Sequence, residues 1–300
     1  MRRDLLGYGL NPPRIAWPGG AKLAVSLVVN YEEGAEMAVE AGDPENERIG
    51  EVISVVPPGR RDFGQEGIFS YGTRAGLARF LDAFDRHGVK VTWFMCGRAV
   101  ERTPDLARAC IARGHEAANH GWVWRPHADF SSRAEEEASL LRSAAAIEAA
   151  TGERPVGFFC RGSPSPWTRE LLAQHGYLYD SNAFDDDLPY WDRDVAGGPM
   201  LVMPYALDCN DMKFFHPNGF VVPQQFVDYA EAAIDQLIEE GERGAPKLLN
   251  IGLHLRICGR PARFRAVEGI LRVLAARGGK VWVARRRDIA AHVRAVLPAG

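Results

Sequence analysis

The fold is decided by the stretch KLAVSLVVNYEE, residues 22–33, in which a nearly continuous apolar run gives way to polar residues. Strands buried on both faces of a parallel sheet have such uninterrupted runs, whereas half-exposed strands alternate apolar and polar residues. The stretch therefore predicts a central parallel strand over residues 22–29. The residues that follow its carboxyl end are the first candidates for a functional site: Asn30, Tyr31, Glu32 and Glu33.

Segments with strand character alternate with segments of helical spacing along the rest of the chain. Further strands are predicted at 90–95, 115–118, 156–160, 178–179, 200–203, 247–252 and 280–283. Helices are predicted at 75–87, 104–113, 132–150, 168–175, 225–240, 261–277 and 287–296. Repeated strand–helix units of this kind require a parallel sheet with helices outside it, either an open doubly wound sheet or a closed barrel.

The composition is that of one soluble α/β domain. With 300 residues, of which 46% are hydrophobic and 25% charged, the chain can build one large core, and it contains no internal repeat or linker. We expect a single domain over residues 1–300 with an N-terminal extension at about 1–20. A long polar loop is predicted at about 33–71, and loops of that length are usually functional or disordered.

Charge and cysteine usage narrow the functional class. The net charge of −3 gives no basic excess for nucleic acid or anionic membranes, so neither is expected as a partner. The five cysteines are dispersed without a Cys-x-x-Cys spacing, which suits a reducing compartment. The sequence shows no signal peptide and no run of eighteen apolar residues, and we expect a cytoplasmic location.

The segment GHEAANHGWVW, residues 114–124, resembles half of a metal site. Two histidines four residues apart can point at one cation, with a carboxylate from elsewhere as the third ligand. Here His120 is followed four residues later by Trp124. His127 lies close enough in sequence to substitute, although Pro126 restricts the chain before it. The sequence therefore predicts no metal, and if a metal is bound, its ligands would include Glu32 and His120.

Polar residues follow several of the predicted strands directly. Glu32 follows the first, His120 the strand at 115–118, Arg161 the strand at 156–160, and His254 the strand at 247–252. In a parallel barrel the carboxyl ends of all strands open on one face, where active sites form. We therefore expect these four separated positions to converge on one pocket.

Four of these segments resemble motifs of the polysaccharide deacetylase superfamily. Residues 114–120 resemble its metal-binding motif, residues 29–32 stand in the place of its Asp-x-Asp motif, residues 159–164 resemble its Arg-containing motif, and Leu253-His254 resembles its Leu-His motif. The resemblance implies an α/β fold, a distorted (β/α) barrel of the polysaccharide deacetylase type, formed by a single catalytic domain.

Within the superfamily the chain is most similar to the metal-independent allantoinases. The segments that carry this likeness are RDLLGYG (3–9), NPP (11–13), NYEEG (30–34), SYGTRAG (70–76), DDDLPYW (185–191), NDM (210–212), IGLH (251–254) and GRPAR (259–263). The likeness implies a hydrolase that opens a small cyclic amide, ureide or imide without an obligatory metal or other cofactor. It also implies a homo-oligomer.

The sequence departs from both patterns in places that matter. Asn30 and Glu32 stand where metal-dependent deacetylases have aspartates, and an asparagine cannot accept a proton. Around Arg161 the chain reads CRGSPSPWT, whereas an allantoinase is expected to read more like GRTGPNT. The ring that is opened, and the oligomer size, therefore stay open.

Opening an activated cyclic amide requires a base for water, donors for the oxyanion and an acid for the leaving nitrogen. Glu32 or Glu33 is the candidate base. His120 and His254 are candidates for base, acid or oxyanion donor, because a histidine titrates near neutrality. Arg161 is the candidate for orienting substrate or stabilising charge.

A second set of residues is predicted to bind the small-molecule substrate. Asn30 and Tyr31 follow the first strand, Trp122 and Trp191 are aromatic residues able to wall a pocket, and Asp211 either orients a histidine or caps a turn.

Two other functional classes compete with this interpretation. The first is a zinc-dependent N-deacetylase of an amino sugar or glycan, with zinc held by Glu32, His120 and a third ligand such as His127. The second is an inactive barrel retained as a binding module.

Overall fold

In the computed structural model, which describes residues 3–299, nine strands form one curled sheet. The strands are β1 (Leu23–Tyr31), β2 (Thr92–Met95), β3 (Glu116–Asn119), β4 (Gly157–Phe158), β5 (Tyr179–Asp180), β6 (Tyr190–Asp192), β7 (Met200–Val202), β8 (Lys247–His254) and β9 (Val281–Val283). Their order is β6-β7-β5-β4-β3-β2-β1-β8, and β9 also pairs with β1.

Strand β1 is the centre of the sheet, as its apolar run predicts. Residues 23–30 of β1 pair in parallel with β8 on one side, while β9 and β2 pair with its two ends on the other side. Every residue of β1 is buried. This pairing places the carboxyl ends of β1, β2 and β8 side by side.

Helices cover the outside of the sheet. They are α1 (Phe63–Tyr71), α2 (Leu77–His87), α3 (Gly97–Arg102), α4 (Pro104–Ile111), α5 (Arg133–Thr151), α6 (Thr168–Gln174), α7 (Pro223–Glu242), α8 (Leu255–Cys258), α9 (Pro261–Arg277) and α10 (Arg286–Val296). Within residues 3–299, no helix has both the length and the hydropathy that crossing a membrane would need.

The predicted fold class is confirmed: the chain folds as a single α/β domain with a half-barrel sheet of the polysaccharide deacetylase type. Three details differ from the sequence prediction. β6 is antiparallel to β7, α3 precedes the predicted helix at 104, and several strands at the β4 side are only two or three residues long. Short strands give too few residues for a periodicity to be recognised.

The predicted loop at about 33–71 ends earlier than expected. Helix α1 begins at Phe63 because the Asp62 side chain accepts a hydrogen bond from the Gln65 backbone N–H at 3.0 Å, a typical helix N-cap. A five-residue π-helical turn, Gly72–Gly76, joins α1 to α2. The loop therefore spans residues 33–62, which we call the cover segment.

The first part of the cover segment is fixed by a buried arginine. Arg98 at the start of α3 donates to the carbonyl oxygens of Gly34 and Glu36 and forms an ion pair with Asp43 at 2.9 Å. Arg98 itself is buried, and these three contacts give its guanidinium hydrogen-bond partners while they connect the segment to α3.

The π-helical turn lies against α8 at a very close approach. A Cβ added at Gly76 would lie 2.5 Å from the backbone carbonyl oxygen of Leu255, and the same carbonyl faces Gly259. Only glycine therefore allows the turn to hold α8 against the end of β8.

Replacing Gly76 by alanine is expected to lower the free energy of unfolding by about 1–3 kcal/mol, because overpacking against backbone cannot relax by a rotamer change. Gly67 in α1 is the matched control, since a Cβ there meets nothing within 4 Å. Alanine at Gly67 is expected to stabilise by about 0.5–1 kcal/mol. Denaturant unfolding of both variants measures the difference, and equal effects would contradict the close packing.

Candidate active site

Glu32 is the centre of a buried polar cluster at the carboxyl ends of β1, β3 and β8. Its Oε1 lies 3.1 Å from His120 Nε2 and 3.4 Å from His254 Nε2, and its Oε2 accepts a hydrogen bond from Arg256 Nη1 at 2.5 Å. Burial alone would raise the pKa of Glu32, but the charges of Arg256 and His254 hold it well below its usual range. Glu32 is therefore a carboxylate at neutral pH.

His254 is oriented by an aspartate. Its Nδ1 donates to Asp211 Oδ1 at 2.6 Å, and its backbone N–H donates to Asp211 Oδ2 at 2.8 Å. Burial would lower the pKa of His254, but the negative charges of Glu32 and Asp211 raise it to about 9. The imidazole is thus held as a cation with Nε2 directed toward Glu32. Two roles were predicted for Asp211, orienting a histidine or capping a turn, and its contacts with His254 correspond to the first.

His120 has its tautomer fixed by the backbone. Its Nδ1 lies 2.6 Å from the carbonyl oxygen of Phe159, which can only accept, so Nδ1 carries a proton. The ring stacks on Phe159 with an interplanar angle of 13°. Nε2 is therefore presented to Glu32 in a fixed orientation.

Glu33 points away from this cluster. Its Oε1 accepts from the Arg256 backbone N–H and its Oε2 accepts from the Glu32 N–H, both at 3.1 Å, and its carboxyl group packs against Gly72. Burial raises the pKa of Glu33 to about 7. Glu33 therefore fixes the end of β1 to α8, and of the two candidate bases Glu32 is the one that contacts the histidines.

The cover segment closes over the cluster through ion pairs. Arg161 pairs with Glu47, with Nη2 and Oε1 3.2 Å apart, and Arg263 pairs with Glu51 at 2.5 and 2.9 Å. The guanidinium carbon of Arg161 lies 3.8 Å from the centre of the Trp124 ring. Within the cluster, Glu32 is 0% exposed and His254 only 4% exposed.

Asn30 lies in the cluster. Its side-chain nitrogen donates to the carbonyl oxygen of Leu253 at 3.2 Å and to the Tyr205 hydroxyl at 3.3 Å, while its Oδ1 has no partner among residues 3–299. A buried amide oxygen without a partner leaves a position at which a substrate N–H can donate.

Three predicted substrate-binding residues lie elsewhere. The Tyr31 hydroxyl bonds to Thr103 on the helix side of the sheet, because successive strand residues point to opposite faces. The Trp122 ring packs on Arg142 of α5. Trp191 lines a cavity of about 560 Å³ with Lys247, the first residue of β8, at the opposite end of the sheet. The structure therefore does not bring these three side chains to the Glu32 cluster.

The residues around Glu32 do not fit a metal ion. Among residues 3–299, no group of three or more histidine, cysteine or acidic side chains is arranged to hold one. His127 does not complete a site, because its Nδ1 is bound to Glu136 at 2.8 Å and its ring packs against Phe130 and Phe158. The guanidinium of Arg256, rather than another metal-ligating side chain, lies beside Glu32 Oε2.

Arg256 and Glu47 are site residues that the sequence prediction missed. Arg256 lies two residues beyond His254, on the first turn of α8, and its side chain is fully buried. A polar residue near a strand end was the signal used for His254, and Arg256 lies only two positions further along the chain. Glu47 had no comparable signal, because it lies in the middle of the cover segment.

Comparison with known proteins identifies the family. The polysaccharide deacetylase family model matches residues 68–179. A Schizosaccharomyces pombe protein with the provisional name polysaccharide deacetylase is 36% identical over 308 residues, covering 96% of this chain and 95% of its own length. The chain therefore belongs to the polysaccharide deacetylase family.

Two solved structures resemble the whole chain. A Pseudomonas aeruginosa PAO1 protein described as a probable polysaccharide deacetylase is 43% identical with a TM-score of 0.93, and 100% of each chain is covered. PuuE allantoinase is 41% identical with a TM-score of 0.94, covering 100% of this chain and 99% of its own.

Proposed function

We propose that this protein is a hydrolase that opens a small cyclic amide, ureide or imide by general acid–base activation of water, without an obligatory metal. The observation that carries the proposal is the shared Glu32 Oε1, which lies within 3.4 Å of two imidazoles and, in the described part of the chain, belongs to no group of three metal-ligating side chains. The similarity to PuuE allantoinase supports the same class of substrate.

The roles follow from the protonation states. Glu32, a carboxylate, takes a proton from water as the water oxygen attacks the ring carbonyl carbon. In the imidazolium form of His120, which carries a second proton on Nε2 besides the one on Nδ1, that Nε2–H donates to the developing oxyanion. The C–N bond of the ring then breaks, and cationic His254 gives its Nε2 proton to the leaving nitrogen. The product is an open-chain acid with a new N–H group.

The cluster can restore itself after each turnover. The reaction leaves a proton on Glu32 and removes one from His254. Because Glu32 Oε1 and His254 Nε2 lie 3.4 Å apart, the proton can return to the imidazole inside the site. Asp211 keeps the histidine in the tautomer that this transfer needs.

The closed site favours a small substrate over a polymer. A glycan chain needs an open groove along the protein surface, whereas the pairs Glu47–Arg161 and Glu51–Arg263 fasten the cover segment across the carboxyl ends of the strands. A small substrate that binds beneath this segment would be shielded from water, and exclusion of water strengthens the electrostatic interactions inside.

A substrate panel tests the proposal. Allantoin, hydantoin, dihydrouracil, succinimide and acetylated chito-oligosaccharides are each incubated with the purified protein, and products are identified by mass spectrometry. We expect at least one cyclic substrate to gain the mass of one water molecule. Release of acetate from the oligosaccharides, with every ring intact, would instead support the N-deacetylase. The Glu32→Gln variant, purified in the same way, controls for a contaminating hydrolase.

A further inference from the structure

Arg256 is a buried cation at the centre of the site. Its side chain is fully buried, and Nη1 donates to Glu32 Oε2 at 2.5 Å. Its guanidinium carbon lies 4.3 Å from the centre of the Phe69 ring and 4.8 Å from the centre of the Trp124 ring. Burying a guanidinium is costly unless a carboxylate and aromatic faces compensate for the lost water.

Trp124 stands four residues after His120, where a second histidine would complete a metal pair. Its indole ring instead faces the guanidinium of Arg256, and it lies near Arg161 as well. A tryptophan is the strongest cation–π partner among the side chains. The tryptophan that replaces the second histidine is therefore also the side chain that packs on the buried arginine.

We propose that Arg256 is a positioning residue that supplies the fixed positive charge of this site and excludes a metal cation from Glu32 and His120, with Trp124 as its packing partner. By holding Oε2, Arg256 directs Oε1 of Glu32 toward the two imidazoles. The catalytic part of this role rests on the function proposed above. The exclusion of a cation does not depend on which substrate is opened.

Zinc uptake by paired variants tests the exclusion. Trp124→His restores the second histidine, and it is combined with either Arg256→Met or Arg256→Lys. The two double variants differ in the charge at position 256 but share the restored histidine. Zinc content after exposure and desalting, together with calorimetric titration of zinc, is measured without substrate. Folding of each variant is checked by denaturant unfolding, and Arg256→Gln replaces the methionine if that variant does not fold.

We expect the methionine double variant to bind about one zinc ion per chain, in a site with three protein ligands. Zinc should bind the lysine double variant, and Trp124→His alone, about 100-fold more weakly because the retained positive charge repels the cation. Equal zinc binding by the methionine and lysine variants, or none by either, would overturn the proposal.

Kinetic measurements on the single variants of Arg256 separate this inference from the proposed function. On any substrate that the wild type turns over, Arg256→Lys is expected to retain kcat about 10-fold above that of Arg256→Met, because the lysine keeps the charge beside Glu32. Equal loss of kcat in both variants would assign Arg256 a packing role only. If no substrate is opened at all, the proposed function fails while the zinc result still decides the exclusion.

Discussion

Glutamine in place of Glu32 is expected to lower kcat by about 10²- to 10⁴-fold, the usual contribution of a positioned general base. Gln cannot take the proton of the attacking water, and its amide cannot balance the charges of Arg256 and His254. Steady-state kinetics on the substrate found in the panel measures the loss. Glu33→Gln is the comparison, and its loss is expected to be smaller because Glu33 bonds only to backbone N–H groups.

Loss of activity through unfolding must be separated from loss of the base. Removing one partner of a buried ion pair typically destabilises a protein by about 3–5 kcal/mol. The double variant Glu32→Gln with Arg256→Met removes both charges, so it should recover stability relative to Glu32→Gln but not turnover. A larger loss of kcat in folded Glu33→Gln than in folded Glu32→Gln would transfer the role of base to Glu33.

The second large effect concerns Asp211 and the pH profile. In the wild type, kcat/KM is expected to fall above a pH of about 9, since His254 must carry its proton and its raised pKa keeps that proton below this pH. The groups that face His254 are Glu32, which directly follows β1, Asp211 from the turn before α7, and Asn30 from β1. Arg256 bonds to the same Glu32 carboxylate.

Replacing Asp211 by asparagine removes one of the two negative charges that raise the pKa of His254. The pH above which kcat/KM falls should therefore be lower in the variant than in the wild type. We also expect kcat to fall about 10²-fold, because the tautomer of His254 is no longer fixed. Asp208→Asn is the matched control, because Asp208 is exposed and accepts a hydrogen bond from the Tyr229 hydroxyl, away from His254. If kcat/KM of Asp211→Asn still falls only above a pH of about 9, His254 is not the acid.

The sequence was sufficient to predict the residues at strand ends. Glu32 and His120 each follow a strand, His254 is the last residue of β8, and adjacent parallel strands bring their carboxyl ends together. The alternation of side chains along a strand also separates residues that the sequence motif at 30–33 leaves equivalent. Asn30 and Glu32 share one face, while Tyr31 and Glu33 share the other, so strand parity distinguishes the two glutamates.

Other parts of the site could not be predicted from local sequence. Trp122 and Trp191 have the right chemistry for a pocket, but nothing in their neighbourhood specifies which end or side of the sheet they occupy. Glu47 reaches Arg161 across 114 positions of the chain through a segment with no periodic pattern. Such contacts are determined by tertiary packing, which the residue types alone do not encode.

The decisive measurement is turnover of the cyclic substrate by protein stripped with chelator, compared with the same protein after zinc is added. Water activation by Glu32, with Arg256 as the fixed charge, predicts equal kcat in the two samples and no dependence on metal content. A kcat that disappears with chelator and returns in proportion to bound zinc would contradict that mechanism.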